Sequence, residues 1–389
     1  MNRIYRRVWN RTRQCWVVAS ELASSAGKPR STAAGAVLLG LVLAVPSAEA
    51  GDIIAADECD ESIWQALCLN SEVRAGSSSA YSLFSATPRA GINALELGYQ
   101  AKANGYGSSA VGPEARSENF YSAAFGWRAL AGEHYSVAVG ANAQATGGSA
   151  IAMGNDSKAS ASSAVAIGRQ ANSSGKSSVA LGASAIASAD SAHALGYLSQ
   201  ATANYATAVG TVAKAFGAYS IAVGNHATAI GDDAIAIGRS AKTVDSSAGV
   251  SRIAIGGGSF AGSDGWTGAI ALGGLSKAEN DAIALGYEAR ALGEGALSMG
   301  RGAQASGKGA TAFGKSALAK NEYGIAVGYE ALTGSTHATA VGTRSSATGI
   351  GATAYGNSAY VNGRNGLAVG SGSRVDNGSS VVAIAIGAD

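Results

Sequence analysis

The dominant feature of this sequence is a short apolar motif that recurs with a period of 14. A typical copy, residues 137–140, reads Val-Ala-Val-Gly: a small residue between two large aliphatic ones, closed by Gly. This closing glycine, called the marker glycine below, recurs at intervals of 14 from Gly98 to Gly238 and from Gly286 to Gly370. A fixed period of this length predicts a solenoid that adds one coil with each repeat.

Within each repeat, positions are counted from the marker glycine. Small residues recur at +3 and +5, as at Ala143 and Ala145, and this period of two indicates one face of a β-strand. A second Gly often stands at +7, as at Gly147, where we expect it to supply the positive φ of a tight corner. Glycines this frequent would weaken every turn of a helix, so a helical repeat is disfavoured.

The apolar strand before each marker glycine predicts an oligomer. Positions −3 and −1 mostly carry Val, Ile, Leu, Met or Phe, and −2 is nearly always Ala, with few exceptions such as Glu96 and Ser298. A strand without a polar face is typical of burial on both sides. One side meets the thin core of its own coil, and the other needs an outside partner because so long an apolar stripe is rare on monomers. The pattern does not give the number of subunits.

The first 50 residues predict an export signal. Residues 1–30 are rich in Arg, residues 33–45 are apolar, and Ala48 and Ala50 fit the small-x-small rule for cleavage after Ala50. Residues 1–10 (MNRIYRRVWN) and 16–23 (WVVASELA) closely resemble the extended signal peptide region of large type V secreted proteins of Gram-negative bacteria. This resemblance implies export to the periplasm and onward transport to the cell surface.

Residues 51–91 lack the repeat, and we interpret them as an N-terminal cap and linker that covers the first coil. Cys59 and Cys68 are the two thiols that remain after cleavage. In an oxidising compartment they are compatible with a local disulfide, with pairing between subunits and with free thiols. A metal site is disfavoured because no His or further Cys stands near them.

Charge and residue phase argue against several functional classes. Outside the first 50 residues the chain has 21 basic and 24 acidic residues, a net charge of −3, which argues against a nucleic-acid partner. The acidic residues do not recur in phase, and the four histidines stand at four different phases. We therefore expect no catalytic residues, no metal site and no cofactor.

The repeat unit [VIL]-A-[VIL]-G-x-x-A-x-A-x-G over residues 92–389 resembles the head repeat of YadA-like trimeric autotransporter adhesins. The resemblance implies an all-β fold, a left-handed parallel β-roll of 14-residue coils, and a homotrimer with the apolar strands turned inward. It also implies display at the outer membrane and adhesion to collagen, fibronectin, cell-surface receptors or other bacteria. Because the sequence ends just after residues 384–387, we expect the neck, stalk and membrane anchor of the family to be absent from these 389 residues.

Two sets of aromatic residues are candidates for ligand contact. Tyr121 and Tyr135 share one phase in consecutive coils, as do Tyr205 and Tyr219, so each pair is expected to stack at a corner of the solenoid. Stabilisation of the corner and contact with a ligand both remain open.

The interrupted part of the repeat supplies the second set. The intervals from Gly238 to Gly256 and from Gly256 to Gly273 exceed the regular period by four and three positions. We expect the extra residues to form loops near 243–250 and 257–266, and Phe260 and Trp266 are the large apolar side chains assigned to the second loop. Binding by these loops and neutral drift in loop length remain equally compatible with the pattern.

Two other classes of solenoid protein fit the sequence less well than an adhesin. A hexapeptide-repeat acyltransferase would show an [LIV]-G-x-x-A unit, which residues 139–143 match locally, but its period is 18 and its catalytic His would recur in phase. An ice-binding solenoid would need a Thr ladder at one phase. Thr207, Thr311, Thr339 and Thr353 share the −3 phase, but most coils carry an aliphatic residue there.

Overall fold

The computed structural model describes residues 5–10, 15–20, 93–244, 251–262, 268–376 and 383–387. The chain divides into two compact units, residues 1–64 and 65–389. In the first unit, Tyr5–Asn10 and Cys15–Ser20 form an antiparallel pair of strands. Among the residues described, no helix has the length and apolar character needed to cross a membrane.

The second unit is a parallel β-solenoid, as the period predicts. Each coil contributes a three-residue strand at −3 to −1 and a two-residue strand at +4 and +5. Strands of the same kind pair in parallel with their counterparts in the coils before and after. The three-residue strands form one sheet, called the long-strand sheet, and the two-residue strands form the other, called the short-strand sheet.

The strand bounds follow the repeat. The long-strand sheet consists of Leu95–Leu97, Ser109–Val111, Ala123–Phe125, Val137–Val139, Ile151–Met153, Val165–Ile167, Val179–Leu181, His193–Leu195, Thr207–Val209, Ile221–Val223, Ile235–Ile237, Ile253–Ile255, Ile270–Leu272, Ile283–Leu285, Leu297–Met299, Thr311–Phe313, Ile325–Val327, Thr339–Val341, Thr353–Tyr355, Leu367–Val369 and Ile384–Ile386. The short-strand sheet consists of Lys102–Ala103, Arg116–Ser117, Leu130–Ala131, Gln144–Ala145, Lys158–Ala159, Asn172–Ser173, Ile186–Ala187, Gln200–Ala201, Lys214–Ala215, Thr228–Ala229, Lys242–Thr243, Phe260–Ala261, Lys277–Ala278, Arg290–Ala291, Gln304–Ala305, Leu318–Ala319, Leu332–Thr333, Ser346–Ala347, Tyr360–Val361 and Arg374–Val375.

The register of the long-strand sheet survives the irregular intervals. Ile237 pairs with Ile255, Ile255 with Leu272, and Leu272 with Leu285, just as Val139 pairs with Met153 in the regular part. Extra or missing residues are therefore absorbed between strands, and the phase of the apolar positions is kept.

The core between the two sheets consists almost entirely of alanine. Ala143 and Ala145 at +3 and +5, and Ala152 at −2, are completely buried, which confirms that these positions form inner faces. A further row at −4, such as Ala150, is buried as well and was not anticipated from the sequence. Most of these positions hold nothing larger than the methyl group of alanine, and the two sheets therefore lie close together.

The corners show why the marker position requires glycine. Gly140 has φ +125°, and a Cβ placed there would lie 2.8 Å from the carbonyl carbon and oxygen of Gly154 in the next coil. L-residues avoid this conformation, and stacked coils leave no space for a side chain. Glycine at this corner is thus required both by the backbone conformation and by the approach of the neighbouring coil.

The expected role of the second glycine, at +7, is wrong. Among the glycines at this position in the described coils, Gly231 alone adopts a positive φ, and Gly147 does not. The left-handed residues stand instead at +2 and +9, as at Asn142 and Ser149, both with φ +56°. A Cβ at Gly147 would collide with the carbonyl group of Ala161 in the next coil. Glycine is therefore needed here because neighbouring coils stack closely, and not because of a positive φ.

Candidate functional site

The tyrosines singled out in the sequence lie at the +9 corner of the solenoid. The backbone N–H of Tyr135 donates to the carbonyl oxygen of Phe120 in the preceding coil at 3.0 Å, and that of Tyr121 donates to Tyr106 at 2.9 Å. These bonds, together with φ values of 53–58°, hold successive tyrosines in the same orientation. Tyr121 and Tyr135 stack with ring centroids 5.7 Å apart. Tyr205 and Tyr219 stack at 4.9 Å with planes 5° apart, so the expected ladders are present.

The first ladder is part of a larger aromatic surface. Phe120 and His134, at the neighbouring +8 position, stack at 5.1 Å, and Tyr106 contacts Tyr121 edge to face at 5.6 Å. We call Tyr106, Phe120, Tyr121, His134 and Tyr135 the aromatic corner. Phe120 is 53% exposed and Tyr135 is 61% exposed. Stacked rings with open edges and hydroxyl groups offer a rigid, amphipathic contact surface.

Phe120 and His134 were missed as contact residues, although they stand at the same phase of consecutive coils. The phases of the four histidines exclude a catalytic cluster, but they do not show that a single His stacks on an aromatic ring. His134 and His337 each do so: His134 stacks on Phe120, and His337 stacks on Tyr323 at 5.2 Å. Within the described ranges, no group of three or more His, Cys, Asp or Glu side chains is arranged to hold a metal ion.

The placement of Phe260 in a loop is wrong. Phe260 lies in the short-strand sheet, paired with Lys242 on one side and Lys277 on the other. Thr243 likewise ends a regular strand. In both long intervals, the residues that directly follow the marker glycine form the usual short strand at +4 and +5. The spacing of the glycines did not show this.

Several other predicted residues lie outside the part of the chain that the structure describes. They are Trp266, the cleavage residues Ala48 and Ala50, the thiols Cys59 and Cys68, and the cap and linker at 51–91. The remaining residues of the two predicted loops, 245–250 and 263–267, lie outside it as well.

A second corner, at +1 and +2, combines aromatic and charged side chains. Arg344 forms an ion pair with Glu330 at 3.0 Å, and Lys315 and Arg344 lie 5.5 and 5.8 Å from the centre of the Tyr329 ring. Two hydrogen bonds lower the pKa of the Glu330 carboxyl. The one from Tyr329 has the larger effect, and the one from Arg344 has the smaller. The same carboxylate raises the pKa of the Tyr329 hydroxyl. These exposed groups orient one another but add little stability.

The outer face of the long-strand sheet is apolar. Positions −3 and −1 point away from the alanine core, so side chains such as Ile221, Ile237 and Ile255 are each 37% exposed in the single chain. The alternation of buried Ala with half-exposed aliphatics recurs in strand after strand, for example in Val165–Ile167. A continuous apolar stripe of this kind is typical of a surface that contacts another protein chain.

The outer face of the short-strand sheet is polar and basic. Its outer position, +4, carries Lys or Arg in eight of the twenty described strands and Asp or Glu in none. We call these residues the basic row: Lys102, Arg116, Lys158, Lys214, Lys242, Lys277, Arg290 and Arg374.

The fold, the apolar face and the exposed corners define a repetitive β-solenoid, and comparison with known families agrees with that class. Residues 1–48 match the extended signal peptide of the type V secretion system. The YadA head domain repeat matches 91–115, 118–143, 145–171, 173–199, 187–213, 201–227, 217–241, 280–303, 305–331, 334–359 and 347–373. No curated protein matches the chain.

The head repeats cover more than half of the chain, and the chain therefore belongs to the YadA-like trimeric autotransporter adhesins. The extended signal peptide, together with the family, makes it an exported protein displayed at the cell surface.

Proposed function

We propose that this chain forms the head of a homotrimeric adhesin, in which three copies pack the outer faces of their long-strand sheets against one another. The observation that carries the proposal is the apolar stripe at −3 and −1, which remains half-exposed in a single chain although the pattern of the strand is that of a buried one. Burial of this stripe between chains removes it from water, which favours assembly. In the arrangement of the family, the trimer is held at the outer membrane.

In this arrangement the head attaches the cell to host matrix proteins such as collagen or fibronectin, to cell-surface receptors or to other bacteria. The role is one of binding, without catalysis. Contact is lateral: the aromatic corner, the Tyr205–Tyr219 pair and Trp266 are the proposed contact residues. Three copies of each contact on one rigid head raise the overall affinity, because each further contact is intramolecular once the first is made.

Assembly is tested by sedimentation of the purified exported chain. The expected result is a trimer across a wide range of concentration. A monomer that remains folded by circular dichroism would contradict the proposal, because the apolar stripe would then be stable in water.

Attachment is tested by binding of the purified trimer to immobilised collagen and fibronectin, to cultured cells and to bacteria. The variant Tyr121→Ala/Tyr135→Ala is expected to reduce binding to at least one of these targets. The matched control is Tyr99→Ala/Tyr197→Ala, which removes two exposed tyrosines from the +1 corner. Equal loss in both variants would exclude a specific role of the aromatic corner, and no binding to any target would contradict adhesion.

A further inference from the structure

The short-strand sheet carries an arrangement of charge that the fold itself does not need. Lys277 pairs directly with Arg290, and Lys102 pairs with Arg116, so cations face each other across neighbouring strands. Like charges in this arrangement are destabilising. Acidic residues are available in the described coils, but apart from Glu96, which lies in a long strand, they stand at the corners and not on the outer +4 position.

Some cations of the basic row have an acidic neighbour in their own coil. Arg116 pairs with Glu118 at 2.5 Å, Lys277 with Glu279 at 2.6 Å and Arg374 with Asp376 at 2.7 Å. In the described coils, no such ion pair involves Lys214, Lys242 or Arg290. The part of the row from Lys214 to Arg290, over six consecutive coils, therefore keeps unneutralised charge at three of its four cations.

We infer that this part of the basic row binds a linear sulphated polysaccharide that lies along the axis of the solenoid. Coils stack at about 4.8 Å, so Lys214, Lys242 and Lys277, which occupy alternate coils, form a straight line of charges about 10 Å apart. Sulphate groups stay ionised at any physiological pH. An extended polysaccharide carries them one or two sugar rings apart, and a straight line of separated cations complements that spacing.

Phe260 supplies the apolar part of the same surface. It lies between Lys242 and Lys277, and the Lys277 Nζ atom is 5.5 Å from the centre of its ring. Aromatic rings pack against the apolar face of a sugar ring while cations on either side contact its charged groups. Phe260 therefore contacts a sugar ring from the outer face of the short-strand sheet, a role that its predicted place in a loop did not suggest.

A nucleic acid fits the row less well. Duplex DNA carries one charge per about 1.7 Å of its axis, far denser than these cations, and proteins that bind single strands stack successive bases on aromatic side chains. The basic row has Phe260 and Tyr360 as its two aromatic neighbours at +4 in the described strands. The net negative charge of the chain beyond residue 50 also opposes a strong general attraction for nucleic acids.

The inference rests on the proposed adhesive function, because it gives a chemical class for one target of a protein displayed at the cell surface. The basic row lies on the opposite sheet from the proposed subunit contact, so it stays accessible in the trimer. Loss of polysaccharide binding would leave assembly and attachment to matrix proteins unchanged, and the two proposals can therefore fail separately.

The test measures the affinity of the exported chain for immobilised heparin as a function of salt. The variant Lys214→Gln/Lys242→Gln/Arg290→Gln is expected to weaken binding about 10-fold or more at physiological salt, and to reduce the slope of log K against log salt by about 2–3. Phe260→Ala is expected to weaken binding about threefold with an unchanged slope. Circular dichroism and sedimentation check that each variant keeps its fold and assembly.

The control variant is Arg301→Gln/Lys315→Gln/Lys320→Gln, which removes the same charge from neighbouring coils at positions outside the row. It is expected to bind heparin like the unmodified chain. An equal loss in the control, equal binding of desulphated heparin, equally tight binding of duplex DNA, or no binding of heparin would each overturn the inference.

Discussion

The two sheets of this solenoid have the same interior and opposite exteriors. In the coil around Gly238, Ala236 of the long strand and Ala241 beside the short strand both point into the core and are fully buried. On the outside, the long strand presents Ile235 and Ile237, and the short strand presents Lys242. The backbone of either sheet is compatible with an apolar or a charged outer face. The outer side chains alone therefore determine which sheet meets another chain and which one faces solvent and ligands.

The largest expected effect comes from adding charge to the apolar exterior. The variant Ile235→Asp/Ile237→Asp is expected to separate the trimer into monomers, because each unpaired buried carboxylate costs about 3–5 kcal/mol. Sedimentation velocity measures the outcome. The control is Thr228→Asp/Gln304→Asp on the other sheet, which is expected to sediment as the unmodified chain does. A trimer that survives the first variant would contradict assembly through the outer face of the long-strand sheet.

The next effect compares the inside and the outside of one strand. Ala166→Leu is expected to lower the free energy of unfolding by about 3 kcal/mol, because the added atoms have no space between the sheets. Val165→Leu, one residue earlier on the outer face, is expected to change it by less than about 1 kcal/mol. Urea unfolding followed by circular dichroism measures both. Similar losses would mean that the alanine core is not tightly packed.

The corners provide a third comparison. Gly140→Ala places a side chain at φ +125° and against the next coil, and is expected to cost about 2 kcal/mol of unfolding free energy. Gly148→Ala is the matched control, because a methyl group at Gly148 would have no neighbouring atom within 4 Å. Thermal unfolding measures the pair. If the control is as destabilised as the marker variant, stacking does not explain the regular spacing of glycines along the chain.

The sequence predicted the solenoid because two requirements, an alanine-sized core and a glycine corner, recur at fixed positions. Ala138 and Gly140 carry this information in one coil, and their counterparts carry it in the others. The left-handed corners at +2 and +9 were not predicted, because Asn142, Ser149 and even Tyr135 adopt them and no single residue type marks them. The position of Phe260 was not predicted either, since the length of an interval between marker glycines does not show where its extra residues lie.

A smaller effect is expected from the stacked tyrosines. Tyr205→Ala removes a ring that stacks on Tyr219 and is expected to lower the free energy of unfolding by about 1 kcal/mol. Tyr197→Ala removes a similarly exposed ring at the +1 corner and is expected to be close to neutral. Calorimetry of the two variants decides whether the ladder stabilises its corner. An equally neutral Tyr205→Ala would leave ligand contact as the better account of the ladder.

The smallest effect concerns pH. Because hydrogen bonds from Tyr329 and Arg344 lower the pKa of Glu330, the folded chain binds this proton less readily than the unfolded chain. The contribution of Glu330 is therefore complete above the pKa of the unfolded chain and is lost as pH falls through the lower pKa of the folded one. A carboxyl titration by NMR is expected to show a pKa below the ordinary range of a glutamate side chain, and this pKa is expected to rise in Arg344→Gln. A titration that does not respond to this change would contradict the geometry of the corner.

The preserved register across irregular intervals sets a rule for how such a chain can change in length. Between Gly98 and Gly238 each coil contacts only the coils before and after it within the chain and repeats their phase, so an in-frame gain or loss of whole coils lengthens or shortens the head without disturbing its surfaces. Any other indel has to be absorbed between strands, as the longer intervals that follow Gly238 are. Recombination between repeats can therefore change the distance that the head extends from the cell, by the length of one coil for each repeat gained or lost.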